Sequence, residues 1–475
     1  MTVLAIDQGT SATKALVVAD DGEVLSLAEA SIQVRASADG AVELDPEELW
    51  ASVVGAGTEA LAAAGNPRLT SIGLANQGET VLAWDRSTGV PVGPAIVWQD
   101  RRAELICDRL RDHAEFLAQH TGLELDPYFV APKIVWLREQ LGGTPTITTT
   151  DAWMLHRLCG AFATDVATAG RSLLVDLDTG HWSDRACDIF GIDPSTLPRV
   201  VGNAEALGEC SVFGGTVPVT GTCVDQQAAL FAEQCHAAGE AKCTYGTGAF
   251  MLACTGEQPT RSTNGLVGCP AWRIGDRLTY CLDGQVYTVG AAVTWLIDMG
   301  IIAEPSDLDR VGGSVDGPNG VVFIPALAGL AAPYWKPQAK AAFTGMTLST
   351  ERGHLVRAAI EGIVAQVALL AQAAGRDLGM PLTRLRVDGG LTRSQVLLQT
   401  QADLLQAPVE VYPSPHATAL GVAAFADLGA NPGSPSQLGA TAWRPDAVLE
   451  PAIGAAEATE RLATWQRAAA ATMDL

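Results

Sequence analysis

Basic residues are scarce in this sequence. Its 475 residues include 30 lysines and arginines against 53 aspartates and glutamates, which gives a formal net charge of −23. Nucleic acids and anionic membrane surfaces are bound through basic patches, so this charge argues against both as partners. Hydrophobic residues make up 48% of the chain, which is enough for a large buried core and excludes a disordered chain.

The sequence also lacks Cys-x-x-Cys pairs and long apolar runs. Its ten cysteines are spread singly between Cys107 and Cys281, which excludes a zinc knuckle or a dithiol redox motif. The longest uncharged stretch, 317–335, contains three prolines and is a poor spanning helix. Asp7 and Lys14 interrupt any leader-like pattern at the N-terminus. We therefore expect a cytoplasmic protein with reduced thiols and no membrane insertion.

Strands and helices alternate in a way that predicts an α/β protein. Apolar runs at 3–6 and 15–18 flank a polar Gly-Thr turn, and a third strand is predicted at 24–34. Asp45 and Pro46 are a capping residue and a first helical residue, and they predict a helix that ends near Gly65.

The second half of the sequence restarts with the same layout. A strand at 241–245, the turn Gly246-Thr247-Gly248 and a strand at 250–253 repeat the strand, Gly-Thr turn and strand of the N-terminus. We therefore expect two structurally related halves that divide into domains at 1–236 and 237–475, with a substrate cleft between them.

A turn rich in glycine and hydroxyl residues follows the first strand. Asp7 ends that strand, and Gly9, Thr10 and Ser11 come directly after it. Such a turn presents backbone N–H groups and hydroxyls to an anion, and the carboxylate suits Mg²⁺ held through water. An ordinary β-hairpin turn is the alternative. The Walker pattern is absent, so a P-loop is excluded.

Asp225 stands where a helix is predicted to begin. It is either a capping residue or a carboxylate that accepts the proton of a substrate hydroxyl as that hydroxyl attacks phosphorus. The turns Gly246-Thr247-Gly248 and Asp388-Gly389-Gly390 would let the backbone approach a phosphate closely.

Three further residues form a candidate set for a polyhydroxylated ligand. Glu79 follows a buried strand, Trp98 ends another, and Tyr128 follows Asp126-Pro127. A carboxylate accepts hydrogen bonds from hydroxyls, and an aromatic ring covers the C–H side of such a ligand. The alternative for the two aromatic residues is plain core packing.

These motifs resemble, in order and over nearly the whole chain, those of the FGGY carbohydrate kinases, and within that family most of all those of the glycerol kinases. The matching blocks lie at 7–10, 76–80, 96–102, 126–129, 225–231, 244–250, 331–335, 341–361 and 386–390. The resemblance implies an α/β fold of two ribonuclease-H-like domains, as in actin and hexokinase, that close over ATP. Residues 1–236 would then be the FGGY N-terminal domain with the substrate side and the phosphate loop, and 237–475 the C-terminal domain with the nucleotide side.

The resemblance also implies roles for individual residues. Asp225 matches the general base, and Asp7 matches the position near Mg²⁺. The positions that match substrate contacts are Gly78, Glu79, Trp98, Tyr128, Asp225, Gln226 and Phe250. The positions that match contacts to ATP are Thr10, Ser11, Ala12, Lys14, Thr247, Gly290, Thr294, Gly390 and Ser394.

Four positions depart from the glycerol kinase pattern. Gly78 replaces an arginine that donates to glycerol, which removes charged donors and empties a side-chain volume. Lys14 replaces an arginine, and Ser394 replaces an asparagine near the nucleotide. Val217 replaces the arginine of a Gly-Gly-Thr-Arg loop through which some glycerol kinases bind fructose 1,6-bisphosphate.

The expected function is ATP-dependent phosphorylation of a terminal hydroxyl of glycerol or a similar short polyol, by a cytoplasmic homodimer that uses Mg²⁺. A four- or five-carbon alditol is the next candidate, because Gly78 leaves space. The alternatives are a xylulokinase-like ketose or pentitol kinase and a non-catalytic actin-fold ligand sensor.

Overall fold

The computed structural model describes residues 2–37, 40–143, 145–432 and 443–473. The strands of the first half of the sequence are β1 (Thr2–Gln8), β2 (Ala12–Ala19), β3 (Val24–Ser31), β4 (Arg35–Ala36), β5 (Val42–Leu44), β6 (Ser71–Asn76), β7 (Val81–Trp84), β8 (Ala95–Ile96), β9 (Thr146–Thr149), β10 (Ala163–Asp165), β11 (Val175–Asp176), β12 (His181–Trp182), β13 (Arg199–Val201), β14 (Ala204–Cys210) and β15 (Val217–Val224). Its helices are α1 (Pro46–Ala63), α2 (Glu104–Arg109), α3 (Ala114–Thr121), α4 (Val130–Leu141), α5 (Thr150–Cys159), α6 (Val166–Ala169), α7 (Asp184–Phe190) and α8 (Asp225–Ala232).

The second half of the sequence continues the alternation. Its strands are β16 (Ala241–Tyr245), β17 (Ala249–Gly256), β18 (Val267–Ile274), β19 (Arg277–Val286), β20 (Val322–Ile324), β21 (Ala342–Thr344), β22 (Leu385–Asp388), β23 (Val409–Val411) and β24 (Val448–Leu449). Its helices are α9 (Gly290–Asp298), α10 (Asp307–Gly312), α11 (Arg352–Leu378), α12 (Gln395–Leu405), α13 (Ala417–Ala430) and α14 (Ala455–Thr472).

The two large sheets share one topology. The first has the order β14-β15-β6-β1-β2-β3, in which β1, β6 and β15 are parallel neighbours and β1, β2 and β3 form an antiparallel meander. The second has the order β18-β19-β17-β16-β22-β23-β24, with β16, β22 and β23 parallel and β16, β17 and β19 antiparallel. A meander followed by two parallel strands therefore occurs twice, which confirms the prediction of two related halves.

The residues that predicted the start of α1 have the expected roles in the structure. Asp45 caps α1, where its side chain accepts a hydrogen bond from the backbone N–H of Glu47. Pro46 is the first residue of the helix, and Leu49 and Val53 face the core. The helix ends at Ala63, close to the predicted end at Gly65.

Two helices of the second half have distinct packing partners. Among the described residues, α11 is long and apolar enough to cross a membrane by length and composition alone, but 78% of its most apolar window is buried inside the protein.

Helix α13 returns to the first sheet, where the hydroxyl of Thr220 donates to the carbonyl oxygen of Ala426 at 2.7 Å. The domain boundary at 236 stays a prediction, and part of the chain beyond it packs against the first sheet.

Candidate active site

The parallel strands of the first sheet bring three predicted carboxylates to one edge. Asp7 lies near the end of β1, Glu79 follows β6, and Asp225 follows β15. These strands are adjacent and parallel, so their carboxyl ends open at the same edge, which is where α/β sheets bind ligands.

A cavity of about 390 Å³ opens at this edge. The predicted residues that line it are Thr10, Ser11, Gly78, Glu79, Trp98, Tyr128, Asp225, Gln226, Thr247 and Phe250. All seven predicted substrate positions therefore surround one cavity. Arg171, Val224 and Asp283 also line it, and the sequence analysis did not single them out.

Aromatic rings form one wall of this cavity. The ring of Trp98 meets Tyr128 edge to face at a centroid distance of 5.8 Å and Phe250 at 6.1 Å. The indole Nε1 of Trp98 donates to the hydroxyl of Thr10 at 3.0 Å. This bond links the aromatic wall to the Gly-Thr turn after β1.

A buried ion-pair network crosses the cavity floor. Arg171 donates from Nε to Glu79 Oε1 at 2.5 Å and pairs through Nη1 with Asp283 Oδ2 at 2.7 Å. Burial raises the pKa of Glu79, and the Arg171 guanidinium opposes that rise. Glu79 also has a φ of +52°, a left-handed conformation that is uncommon for a residue other than glycine. Arg171 lies between α6 and β11 outside any motif, which is why no local signal marked it.

Asp225 is the first residue of α8 and not its cap. Val224 occupies the capping position, and the Asp225 carboxylate accepts a hydrogen bond from the backbone N–H of Gln226 at 2.7 Å. Burial raises the pKa of Asp225, while the positive charge of Lys242 opposes that rise.

Lys242 is fully buried on β16 and orients a predicted substrate contact. Its ammonium donates to Gln226 Oε1 at 2.5 Å and to the Thr244 hydroxyl at 2.7 Å. Because an ammonium only donates, it binds the amide oxygen of Gln226 and leaves the amide NH₂ as the free donor of that side chain.

The carboxylate of Asp7 is repelled by those of Asp225 and Asp388. Burial raises its pKa to about 7, Asp225 and Asp388 add to the rise, and Lys14 opposes it. Within the described residues, no group of three or more His, Cys, Asp or Glu side chains is arranged to hold a metal ion.

A second, larger cavity of about 900 Å³ adjoins the second sheet. The predicted nucleotide positions that line it are Thr247, Gly290, Thr294, Gly390 and Ser394. Thr247 lines both cavities, so the Gly-Thr-Gly turn stands where they meet. A Cβ on Gly290 would lie 2.6 Å from the carbonyl oxygen of Gly246, so the close approach of α9 to this turn requires glycine.

Some predicted positions do not line either cavity. Asp7, Ala12 and Lys14 are on β1 and β2 behind the turn, where Lys14 is the strand partner of Asp7. Ser394 does line the larger cavity, but its hydroxyl donates to Asp309 at 2.5 Å and caps α12. That hydroxyl is therefore engaged within the protein.

The space beside Gly78 is smaller than the sequence suggested. A Cβ built on Gly78 would lie 3.1 Å from Cγ2 of Val224, which is closer than ordinary carbon–carbon contact. Val224 thus takes up part of the volume that a longer side chain at position 78 would enter.

Known proteins match this chain over almost its whole length. Residues 2–232 match the N-terminal domain and residues 241–430 the C-terminal domain of the FGGY family of carbohydrate kinases. The chain is 40% identical to the glycerol kinase of Alkalilimnicola ehrlichii, an alignment that covers 98% of this chain and 97% of the relative. It is 39% identical to the glycerol kinase of Thermus brockianus over the same shares of the two chains.

Solved structures share the fold. The crystal structure of Plasmodium falciparum glycerol kinase with ADP superposes with a TM-score of 0.93 at 32% identity and covers 99% of this chain and 98% of that one. Xylulose kinase from Rhodospirillum rubrum has the same fold, with a TM-score of 0.88 at 23% identity and 99% of both chains covered. Two cavities thus meet at a Gly-Thr-Gly turn, in a chain that known kinases match over almost its whole length. The chain belongs to the FGGY family of carbohydrate kinases as an ATP-dependent, glycerol kinase-like phosphotransferase.

Proposed function

We propose that this enzyme transfers the γ-phosphoryl group of ATP to a terminal hydroxyl of a short, neutral polyol, with glycerol as the first candidate. The observation that carries this proposal is the position of Asp225, which lines the smaller cavity together with Thr247 of the turn shared by both cavities. A polyol in the smaller cavity and a nucleotide in the larger one would then meet beside this carboxylate.

Asp225 is proposed as the general base. Its carboxylate would accept the proton of the attacking hydroxyl as the oxygen approaches the γ-phosphorus, while the two Gly-Thr turns hold the phosphates in line. Catalysis would come mainly from positioning and from neutralising the charge of the transferred group.

The polar groups of the cavity favour a neutral, hydroxyl-rich substrate. Glu79, Asp225 and Asp283 are acceptors, and the cations nearest to them, Arg171 and Lys242, are already engaged with protein groups. A substrate that carries its own carboxylate or phosphate would meet repulsion here. A polyol donates hydroxyl protons to the acceptors and turns its C–H face to Trp98, Tyr128 and Phe250.

The cavity has room for more than three carbons. Its volume of about 390 Å³ lies in the range that holds larger ligands, and a neighbouring cavity of about 160 Å³ shares Trp98, Gln99 and Tyr128 with it. We therefore expect some four- or five-carbon alditol to reach a kcat/KM equal to or above that of glycerol.

The proposed nucleotide contacts are those of the larger cavity and of the first turn. Thr10 and Ser11 of the smaller cavity, together with Thr247, would hold the phosphates, with Ala12 next to them in the chain, and Gly290, Thr294, Gly390 and Ser394 of the larger cavity would hold the nucleoside. The crowding of the Asp7, Asp225 and Asp388 carboxylates fits a divalent cation, because positive charge would relieve their mutual repulsion. Mg²⁺ held by Asp7 through water would neutralise charge on the phosphates.

We also propose a cytoplasmic homodimer with domains at 1–236 and 237–475. The ten cysteines are free thiols, as expected in a reducing compartment.

ADP release measured with purified protein against glycerol, tetritols, pentitols and ketopentoses tests this proposal. Saturable ADP release that depends on a polyol supports it. Release that depends on a ketopentose alone would favour the xylulokinase-like alternative, and ligand binding without any ADP release would favour a sensor.

A further inference from the structure

Asp283 is an acceptor that the second half of the chain contributes to the cavity of the substrate. It lies on β19, lines the cavity and is 5% exposed. Its Oδ2 pairs with Arg171 Nη1 at 2.7 Å, whereas its Oδ1 is buried with no hydrogen-bond partner in the described part of the chain. A carboxylate oxygen that is buried without a donor costs free energy, so such an atom beside a cavity points to a ligand that donates to it.

Arg171 fixes this oxygen in place. The same guanidinium binds Glu79 Oε1 from the first half of the chain and Asp283 Oδ2 from the second. The face of the Arg171 guanidinium also lies 5.7 Å from the centre of the Tyr128 ring, in the aromatic wall. The carboxylate of Asp283, a residue that lines the cavity, therefore has one oxygen bound to the cation and the other without a donor among the described residues.

We propose that Asp283 Oδ1 accepts a hydrogen bond from a hydroxyl of the polyol that is not the one phosphorylated. This proposal rests on the proposed function and extends it, because Asp283 becomes a specificity-determining residue that shares Arg171 with Glu79. A bound polyol then bridges the two halves of the chain, and a substrate without the matching hydroxyl leaves Asp283 Oδ1 unpaired. The site accordingly selects neutral polyols by the position of a second hydroxyl.

The test combines a protein variant with altered substrates. Asp283→Asn keeps a carbonyl oxygen for Arg171 but presents an NH₂ group where the hydroxyl is proposed to donate. kcat/KM is measured for the best polyol of the panel and for each of its monodeoxy analogues, with wild type and variant. For the parent polyol we expect a fall of about 10–100-fold, the value of a hydrogen bond to a charged group. For the deoxy analogue that lacks the bonded hydroxyl, the variant is expected to lower kcat/KM by less than about threefold relative to wild type.

Asp377→Asn is the matched control. Asp377 is another carboxylate of the second half, and it accepts the backbone N–H of Thr263 at 2.9 Å at the end of α11. This variant should leave the ratio between parent and deoxy substrates unchanged. Melting temperature and the KM for ATP, recorded for both variants, identify any loss that comes from folding alone.

Two results would overturn the proposal. If Asp283→Asn lowers kcat/KM equally for the parent and for every deoxy analogue, Asp283 acts only by supporting Arg171. If the variant changes none of them, the oxygen does not meet substrate. Neither result depends on which polyol is used, whereas failure of the proposed function would already show as wild-type protein that phosphorylates no polyol.

Discussion

The Nε of Arg171 lies 2.5 Å from Oε1 of Glu79, in a pair where both side chains are almost completely buried. Arg171 thereby places a guanidinium in the smaller cavity of a chain that has glycine at position 78, where the sequence resemblance led us to expect arginine. The two positions are not equivalent, because Arg171 is committed to Glu79 and Asp283. It holds two acceptors of the cavity, Glu79 and Asp283, in place, whereas the neighbour of a Cβ built on Gly78 is the apolar Val224.

Arg171→Met should destabilise the fold and weaken substrate binding. It leaves Glu79 and Asp283 buried without their cation, a change that costs about 3–5 kcal/mol for a buried pair. The loss should be larger at pH 8 than at pH 5, because burial raises the pKa of Glu79 in the folded protein and the variant removes the Arg171 charge that opposes this rise, so the folded state is favoured when Glu79 is protonated. Urea unfolding at the two pH values measures this, with Arg171→Lys as a control that keeps the charge. Equal stability of Arg171→Met and wild type would contradict the role of the pair.

Positions 78 and 224 should behave as a unit. Gly78→Arg alone must push Val224 aside, since even its Cβ would lie 3.1 Å from Val224 Cγ2. We expect this single variant to bind glycerol no better than wild type. The double variant with Val224→Ala should lower the KM for glycerol by about tenfold, the value of one charge-assisted hydrogen bond.

Wild type, the two single variants and the double variant form a double-mutant cycle. The four proteins are compared by kcat/KM for glycerol and for a pentitol. Val224→Ala alone is the control for space without a donor, and it should favour the longer polyol. Strict additivity of the two substitutions would show that Val224 does not limit position 78.

Lys242 should set the acid limb of the pH–rate profile. The base must be deprotonated to accept a proton, so kcat/KM rises with pH through the pKa of Asp225. Burial raises this pKa and the charge of Lys242 lowers it, so removing that charge raises it further. Lys242→Met is therefore expected to move the acid limb to higher pH, while Lys242→Arg keeps it in place. A limb that stays unchanged or moves to lower pH in Lys242→Met would contradict the electrostatic role of this lysine.

Fructose 1,6-bisphosphate should not inhibit this enzyme at millimolar concentration. The loop 214–217 has valine where the bisphosphate-binding loop has arginine, so a bidentate partner for a phosphate is missing. The net charge of −23 adds general repulsion. Initial rates at increasing bisphosphate, with inorganic phosphate as the control for ionic strength, measure this. Saturable inhibition would reveal a basic site elsewhere.

The sequence predicted the parts of the site that are written locally. The apolar run that ends at Asp7 and the buried strand that Glu79 follows were predicted from sequence, and Asp225 was placed at the start of a helix, as observed. The capping residue Asp45 and Pro46 at the first helical position predicted the start of α1 to the residue.

The parts that were missed depend on tertiary structure. Arg171 and Asp283 are isolated charges in unremarkable segments, and they become functional candidates only when the two halves of the chain meet. The position of Val224 beside Gly78 results from the pairing of β15 with β6, which no local pattern specifies. The position of α13 on the first sheet likewise follows from packing between distant segments.

Turnover of Asp225→Asn measures the proposed general base directly. The amide cannot accept the substrate proton, so kcat for polyol-dependent ADP release should fall by about 10²–10⁴-fold. Nucleotide affinity, measured separately by binding, should change by less than about threefold, because Asp225 lines only the smaller cavity of the two. A variant that keeps most of its turnover at unchanged ATP affinity would contradict the assignment of Asp225 as the base.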